Sequence, residues 1–171
     1  ILGAAGHDII DGGLGNNTLD GGTGNDTLKI GSASSTTSSY TNTFIGGTGN
    51  DYLQGASGAD TYVYNLGDGN DVIADLDVGY GKTDRLVFGA GITADHIALQ
   101  RSGNHLVVLV THPDSGEVST LTIVDAISNS LRRIEEMVFA DGTVISGYWL
   151  NLIDLVGTDP GATELVGTTG D

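Results

Sequence analysis

Six positions in the first half of the chain share the same neighbours. Asp8, Asn17, Asp26, Asp51, Asp60 and Asp71 each stand two residues after a glycine and two before a large, mostly apolar residue. Five are carboxylates, and Asn17 keeps a side-chain oxygen without the charge. Short acidic side chains held by tight turns suit a hard cation that takes oxygen ligands. The acid is also divided unevenly: of 22 acidic residues 18 are Asp, and only Glu117, Glu135, Glu136 and Glu164 are Glu. A merely solvated acidic face has no reason to prefer the shorter carboxylate. The net charge of −16 repels nucleic acid and anionic membrane, which need Lys and Arg for counterion release. Cations are the natural partners.

Positioning these side chains falls to a nine-residue unit that begins at Gly3. It reads GAAGHDIID, GGLGNNTLD and GGTGNDTLK without a break, resumes at Gly46 as GGTGNDYLQ and GASGADTYV, and closes with the variant LGDGNDVIA from Leu66. Glycines at positions one, two and four are expected to take positive φ and to expose carbonyl oxygens towards a shared point, with the sixth-position carboxylate closing over it. That is a half-site for calcium. The last three residues make a minimal strand whose eighth residue points inward, so Ile10, Leu19, Leu28, Leu53, Tyr62 and Ile73 should form one buried stack. A disordered glycine-rich linker would lack an apolar residue at fixed phase. Outward positions seven and nine lose polarity along the chain, from Ile9/Asp11 and Thr18/Asp20 to Thr61/Val63 and Val72/Ala74. The end of the stack is therefore expected to be covered by the next part of the chain.

The pattern G-G-x-G-x-D-x-U-x resembles the RTX calcium-binding repeat. That resemblance implies a parallel β-roll, a calcium-binding β-solenoid with two short strands per coil, in which each ion lies between one turn and the turn two repeats later. The implied ligands are the sixth-position residues, with Asn17 a weaker or empty position, and the turn residues Gly3 and Ala5, Gly12 and Leu14, Gly21, Gly22, Thr23 and Gly24, Gly46, Gly47, Thr48 and Gly49, Gly55, Ser57 and Gly58, and Gly67 and Gly69. Asp8 pairs with Asp26. Residues Ile30 to Ile45, serine-rich over Ser32–Ser39, interrupt the register and read as a surface loop. If they form one enlarged turn, Asp26 pairs with Asp51 and Asp51 with Asp71; if they loop out completely, the pairing changes. Asp75, Asp77 and Asp84 resemble the terminal calcium ligands of the family. Residues 1 to 84 hold eleven Asp against Lys29 and Lys82, a charge that four or five Ca²⁺ would roughly neutralise. Without metal these carboxylates repel, and three-residue strands bury too little to offset chain entropy, so folding should depend on calcium.

From about Asp84 the glycines thin out and β-type runs appear: DRLVFG, HIALQR, NHLVVLVT, VSTLTIV and RRIEEMVFADG, separated by SGN, HPDSGE and ADG. They read as a small, mainly antiparallel β unit stacked on the last turn of the roll, and resemble the RTX-associated domain found after such repeats. The expected organisation is an all-β chain with a roll over 1–83, carrying the insertion at 30–45, a β-rich cap over 84–155, and a linker or the start of a further repeat over 156–171. Tyr148 and Trp149 read as packing anchors. The chain reads as part of a longer, secreted polypeptide.

No catalytic constellation accompanies the repeats. His7, His96, His105 and His112 have no zinc spacing, and no G-x-S-x-G elbow, catalytic cysteine or phosphate-cradling loop is present. Glu135 and Glu136, adjacent in a strand, should point to opposite faces and form no acid/base pair. With no apolar run of about 18 residues, no membrane span is expected. The leading expectation is an extracellular bacterial module, exported by type I secretion as the resemblance implies, whose calcium-induced folding serves a toxin, adhesin or exoenzyme. A glycan-binding, cell-surface or ice-binding module is the competing reading, since G-T-G-N-D recurs at Gly22–Asp26 and Gly47–Asp51. A non-catalytic module appended to a polysaccharide-modifying enzyme is the third. Oligomeric state is left open.

Overall fold

A computed structural model describes residues 1–31, 40–77 and 81–146. The expectations for Tyr148, Trp149 and 156–171 lie outside the described residues. The chain forms short strands in the order β1 (Ile9–Asp11), β2 (Thr18–Thr23), β3 (Thr27–Lys29), β4 (Thr43–Thr48), β5 (Tyr52–Gln54), β6 (Thr61–Tyr64), β7 (Asp71–Ala74), β8 (Arg85–Phe88), β9 (Ile97–Ser102), β10 (His105–Thr111), β11 (Val118–Ile123), β12 (Glu136–Val138) and β13 (Val144–Ser146). No helix among the described residues is long and apolar enough to cross a membrane.

Successive repeats alternate between two sheets. One has the order β1-β3-β5-β7-β11-β10-β9 and the other β13-β12-β8-β6-β4-β2. Through β7 and β8 every neighbouring pair in the roll is parallel. A nine-residue unit turns the chain half way round, so like strands meet two repeats apart. This divides the expected single stack into two facing columns. Ile10, Leu28, Leu53 and Ile73 line one sheet, and Leu19, Phe44, Tyr62 and Leu86 line the other, all within one buried core.

Phe44 corrects the reading of residues 30–45 as a loop that breaks the register. Thr43, Phe44 and Ile45 are strand residues of β4, paired with Thr18, Leu19 and Asp20 on one side and Thr61, Tyr62 and Val63 on the other. Phe44 is fully buried and stacks on Tyr62 with ring centroids 5.1 Å apart. Its coil has lost the glycines of the repeat but kept the inward residue, and burial of that ring sets the register where the turn sequence does not.

Both sheets run on past Asp84 without a break. β11 joins β7 in parallel and β12 joins β8 in parallel, so the two edge strands at the roll's C-terminal end are hydrogen-bonded by the cap. The antiparallel pairs β9/β10, β10/β11 and β12/β13 complete it. Leu86, Phe88, Leu106, Val108, Leu121, Ile123, Met137 and Phe139 extend the core across the junction, with Phe88 stacked on Phe139 at 5.0 Å. The loss of outward polarity along the repeats matches this cover: Ile9 is 77% exposed at the open end and Ala74 is 4% exposed against the cap.

Candidate metal centres

On the first sheet's side the sixth-position residues form a ladder. The N–H of Asp8 donates to Asp26 Oδ1 at 2.8 Å, that of Asp26 to Asp51 Oδ1 at 2.7 Å, and that of Asp51 to Asp71 Oδ1 at 2.9 Å. The steps span 18, 25 and 20 residues, so the contact is kept while the loop between varies. The pairs Asp26–Asp51 and Asp51–Asp71 are those expected of one enlarged turn over residues 30–45, although the described part of that stretch includes strand residues of β4. Asp26, Asp51 and Asp71 each spend Oδ1 on the ladder, which Asp8 enters by its N–H alone. Oδ2 of Asp8, Asp26 and Asp51 is buried and has no hydrogen-bond partner.

Those orphaned oxygens lean over the first glycine of their own repeats. A methyl group on Gly3 would lie 2.6 Å from the Gly21 carbonyl oxygen and 2.7 Å from Asp8 Oδ2. On Gly21 it would meet Asp26 Oδ2 and, at 2.6 Å, the Gly46 carbonyl oxygen. This corrects the expectation that position one is glycine for its positive φ. Among the repeat turns Gly13, Gly22, Gly24, Gly47, Gly49, Gly67 and Gly69 have positive φ, at positions two and four; Gly3 and Gly21 are small because a carboxylate and a carbonyl oxygen converge over each, and Gly46 because the Asp51 carboxylate lies over it. A buried carboxylate oxygen without a donor is costly, and a cradle of carboxylates and carbonyls is the donor set a calcium ion takes. The residues fit the ion.

On the second sheet's side the ladder runs differently. The Asn17 N–H donates to Asn42 Oδ1 at 3.2 Å, the Asn42 N–H to Asp60 Oδ1 at 2.9 Å and the Asp60 N–H to Asp84 Oδ1 at 2.7 Å. The Asn17 amide nitrogen also donates to Gly15 O and Asn42 Oδ1, so that rung closes upon itself without charge. Asn42 escaped the sequence reading, although it lies nine residues before Asp51 and two before Phe44. Gly55 packs against the Tyr62 hydroxyl and Asp60 Oδ2, and Gly69 gives its carbonyl to the Tyr64 hydroxyl at 2.8 Å.

At the junction with the cap, carboxylate oxygens of Asp75, Asp77 and Asp84 lie within 4.8 Å of one another, and all three residues are buried. Asp75 is fully buried; its Oδ1 receives the Tyr62 hydroxyl at 3.4 Å and its Oδ2 has no partner. Asp77 Oδ1 accepts the Gly58 N–H at 3.0 Å. Burial first, then repulsion from neighbouring carboxylates including Asp84 and Asp77, holds Asp75 far above the usual carboxylate range. Burial also raises Asp84, Asp77 and Asp60. In the first ladder, burial lifts Asp71 to about 7, with repulsion from Asp51 and Asp68 adding to it. Asp68, which the repeat pattern did not single out, is buried and accepts both the N–H and side-chain amide of Asn65. Groups crowded this way favour a bound proton or a divalent cation over the bare anions.

A third ladder has no charge. The Asn50 N–H donates to Asn25 Oδ1, the Asn70 N–H to Asn50 Oδ1, and the Thr120 N–H to Asn70 Oδ1, each at 2.9 Å. His7 starts it by accepting the Asn25 N–H at 2.7 Å, and Thr120 carries it into the cap. The other histidines also accept main-chain N–H groups at Nδ1: His96 from Thr93, His105 from Asp125 and His112 from Asp114. Glu135 and Glu136 diverge, one towards Asp84 and the other into an ion pair with Arg85 at 2.7 Å.

The fold and these centres define a calcium-binding β-roll. The family model of the RTX calcium-binding nonapeptide repeat matches four copies, over residues 1–28 and 36–73, so this part of the chain consists of RTX repeats. The chain is also similar to the iron-regulated protein FrpA of Neisseria meningitidis serogroup C, with 37% identity over 85 residues. That match covers 50% of this chain and 8% of the relative.

Proposed function

We propose that this chain is a calcium-driven folding module of a larger, secreted bacterial protein. It is acidic and unfolded where Ca²⁺ is scarce and folds outside the cell, where Ca²⁺ is on the order of 10⁻³ M. The observation that carries this reading is the row of buried, unpartnered oxygens on Asp8, Asp26 and Asp51. Protein alone leaves them at a cost that short strands do not offset; a divalent ion between successive turns removes the cost and the repulsion together. Four or five ions roughly neutralise the roll, with the three steps from Asp8 to Asp71 and the Asp75, Asp77 and Asp84 cluster as the strongest positions. Folding only after export would favour one-way passage through a type I secretion channel. The parent protein is a toxin, adhesin or exoenzyme to which this module contributes no catalytic group.

Equilibrium dialysis of the chelated chain against Ca²⁺ and Mg²⁺ tests the reading. Uptake of several Ca²⁺ ions per chain with weak retention of Mg²⁺ is expected, because Mg²⁺ demands a tighter octahedral shell and sheds water reluctantly. Absence of calcium uptake would refute it.

A further inference from the structure

The cap carries a carboxylate that stands in the roll's own ladder. The Asp84 N–H donates to Glu135 Oε2 at 2.8 Å, the relation that Asp60 has to Asp84 at 2.7 Å and Asn42 to Asp60 at 2.9 Å. The Asp84 carbonyl in turn receives the N–H groups of Glu135 at 3.0 Å and Glu136 at 3.1 Å. Parallel pairing of β12 with β8 thus brings Glu135 to the next rung, 51 residues further along the chain. Beside that rung lie Asp75, Asp77 and Asp84, with Asp75 Oδ2 buried and unpartnered. Glu135 is half-buried at this rung.

We propose that Glu135 is the closing ligand of a divalent-cation site formed with Asp75, Asp77 and Asp84, so that the cap completes the last metal centre of the roll. The inference rests on the calcium reading above and adds a coupling to it. The ion cannot be fully bound until β12 has docked on β8, and the docked cap in turn is held by the ion. Binding of this last ion and closure of the roll's end are one event. The neighbouring Glu136, committed to Arg85, takes no part.

Calorimetric titration of the full chain with CaCl₂ separates these roles. Glu135→Gln keeps an oxygen for the Asp84 N–H and removes only the charge. It is expected to lose one ion from the stoichiometry, or to bind one ion at least tenfold more weakly, while Glu136→Gln matches the original chain. Unchanged stoichiometry and affinities in Glu135→Gln, or equal weakening in Glu136→Gln, would overturn the proposal while leaving the calcium reading intact. An original chain that binds no calcium would overturn both. If Glu135→Gln does not fold, the original chain labelled with ¹³C at the glutamate side-chain carboxyls gives the answer. The Glu135 signal is expected to shift with calcium; a Glu135 signal that stays fixed through saturation refutes the assignment.

Discussion

The main-chain N–H of Asp51 donates to Asp71 Oδ1 at 2.9 Å, while Asp51 Oδ1 accepts the N–H of Asp26 at 2.7 Å. Asp51 is thus a rung with a neighbour on each side, and its second oxygen is the unpartnered one. Asp51→Asn preserves the ladder's acceptor and removes the charge. Its calcium midpoint for folding is expected to rise tenfold or more. Asp51→Ala should lose in addition about 1–3 kcal/mol of calcium-saturated stability, because the buried Asp26 N–H is left without an acceptor. Denaturant melts of both variants at matched calcium separate the two contributions, and a normal midpoint in Asp51→Asn would make the ladder purely structural.

Protons should favour the metal-free fold. The Asp71 carboxyl has an ordinary value of 3.8 and is lifted to about 7 in the fold, so the folded chain without metal holds a proton that the unfolded chain releases. Between these values the unfolded state binds fewer protons, and stability falls as pH rises, by up to about 1.4 kcal/mol per pH unit for each such group. The metal-free fold is therefore most favoured near pH 4 and weakest at pH 7 and above. The unfolded chain and the calcium-bound fold both lack this proton between pH 5.5 and pH 7.5, so the effect belongs to the metal-free fold, whose residual β structure should be greater at pH 5.5. Circular dichroism in chelator at the two pH values checks this; less β signal at pH 5.5 than at pH 7.5 would contradict the lifted carboxyl.

Ala4 has φ of 84° and Gly22, at the same position of the repeat two turns on, has 97°. A side chain at Gly22 would run into the Ala4 carbonyl, whereas Ala4 lies at the open end of the roll. Ala4→Gly should therefore leave stability unchanged or raise it by up to about 1 kcal/mol by relieving the left-handed strain. Gly22→Ala is expected to lower the calcium-saturated melting temperature sharply. Equal effects of the two substitutions would mean that the turns adjust independently of the stack.

Phe44 carries the register through a coil without repeat glycines. Phe44→Ala removes a fully buried ring stacked on Tyr62 and should cost about 3–5 kcal/mol, with the loss spread over β2, β4 and β6 in hydrogen exchange. A cost under 1 kcal/mol would show that this coil folds without its core residue.

The repeat was legible because its glycines, aspartates and inward residues keep one phase, and this phase places Asp8 against Asp26 and buries Leu28 and Tyr62. Three features were hidden for physical reasons. Phe44 and Asn42 lie in a coil that has kept core and ladder residues but no turn glycine, so a pattern led by glycine passes over them. Gly3 and Gly21 are required by oxygens from two coils, one of which is distant in sequence. Glu135 reaches Asp84 only through β12 docking on β8, a pairing across 51 residues that no local spacing encodes.

Far-UV circular dichroism of the chelated 171-residue chain titrated with CaCl₂, with MgCl₂ in parallel, tests the account most directly. A cooperative coil-to-β transition at roughly 10⁻⁴ to 10⁻³ M Ca²⁺, absent with Mg²⁺, is the expected result. A chain that already shows its full β signal in chelator, unaltered by calcium, would contradict it and place the stability of the fold in the cap and core alone.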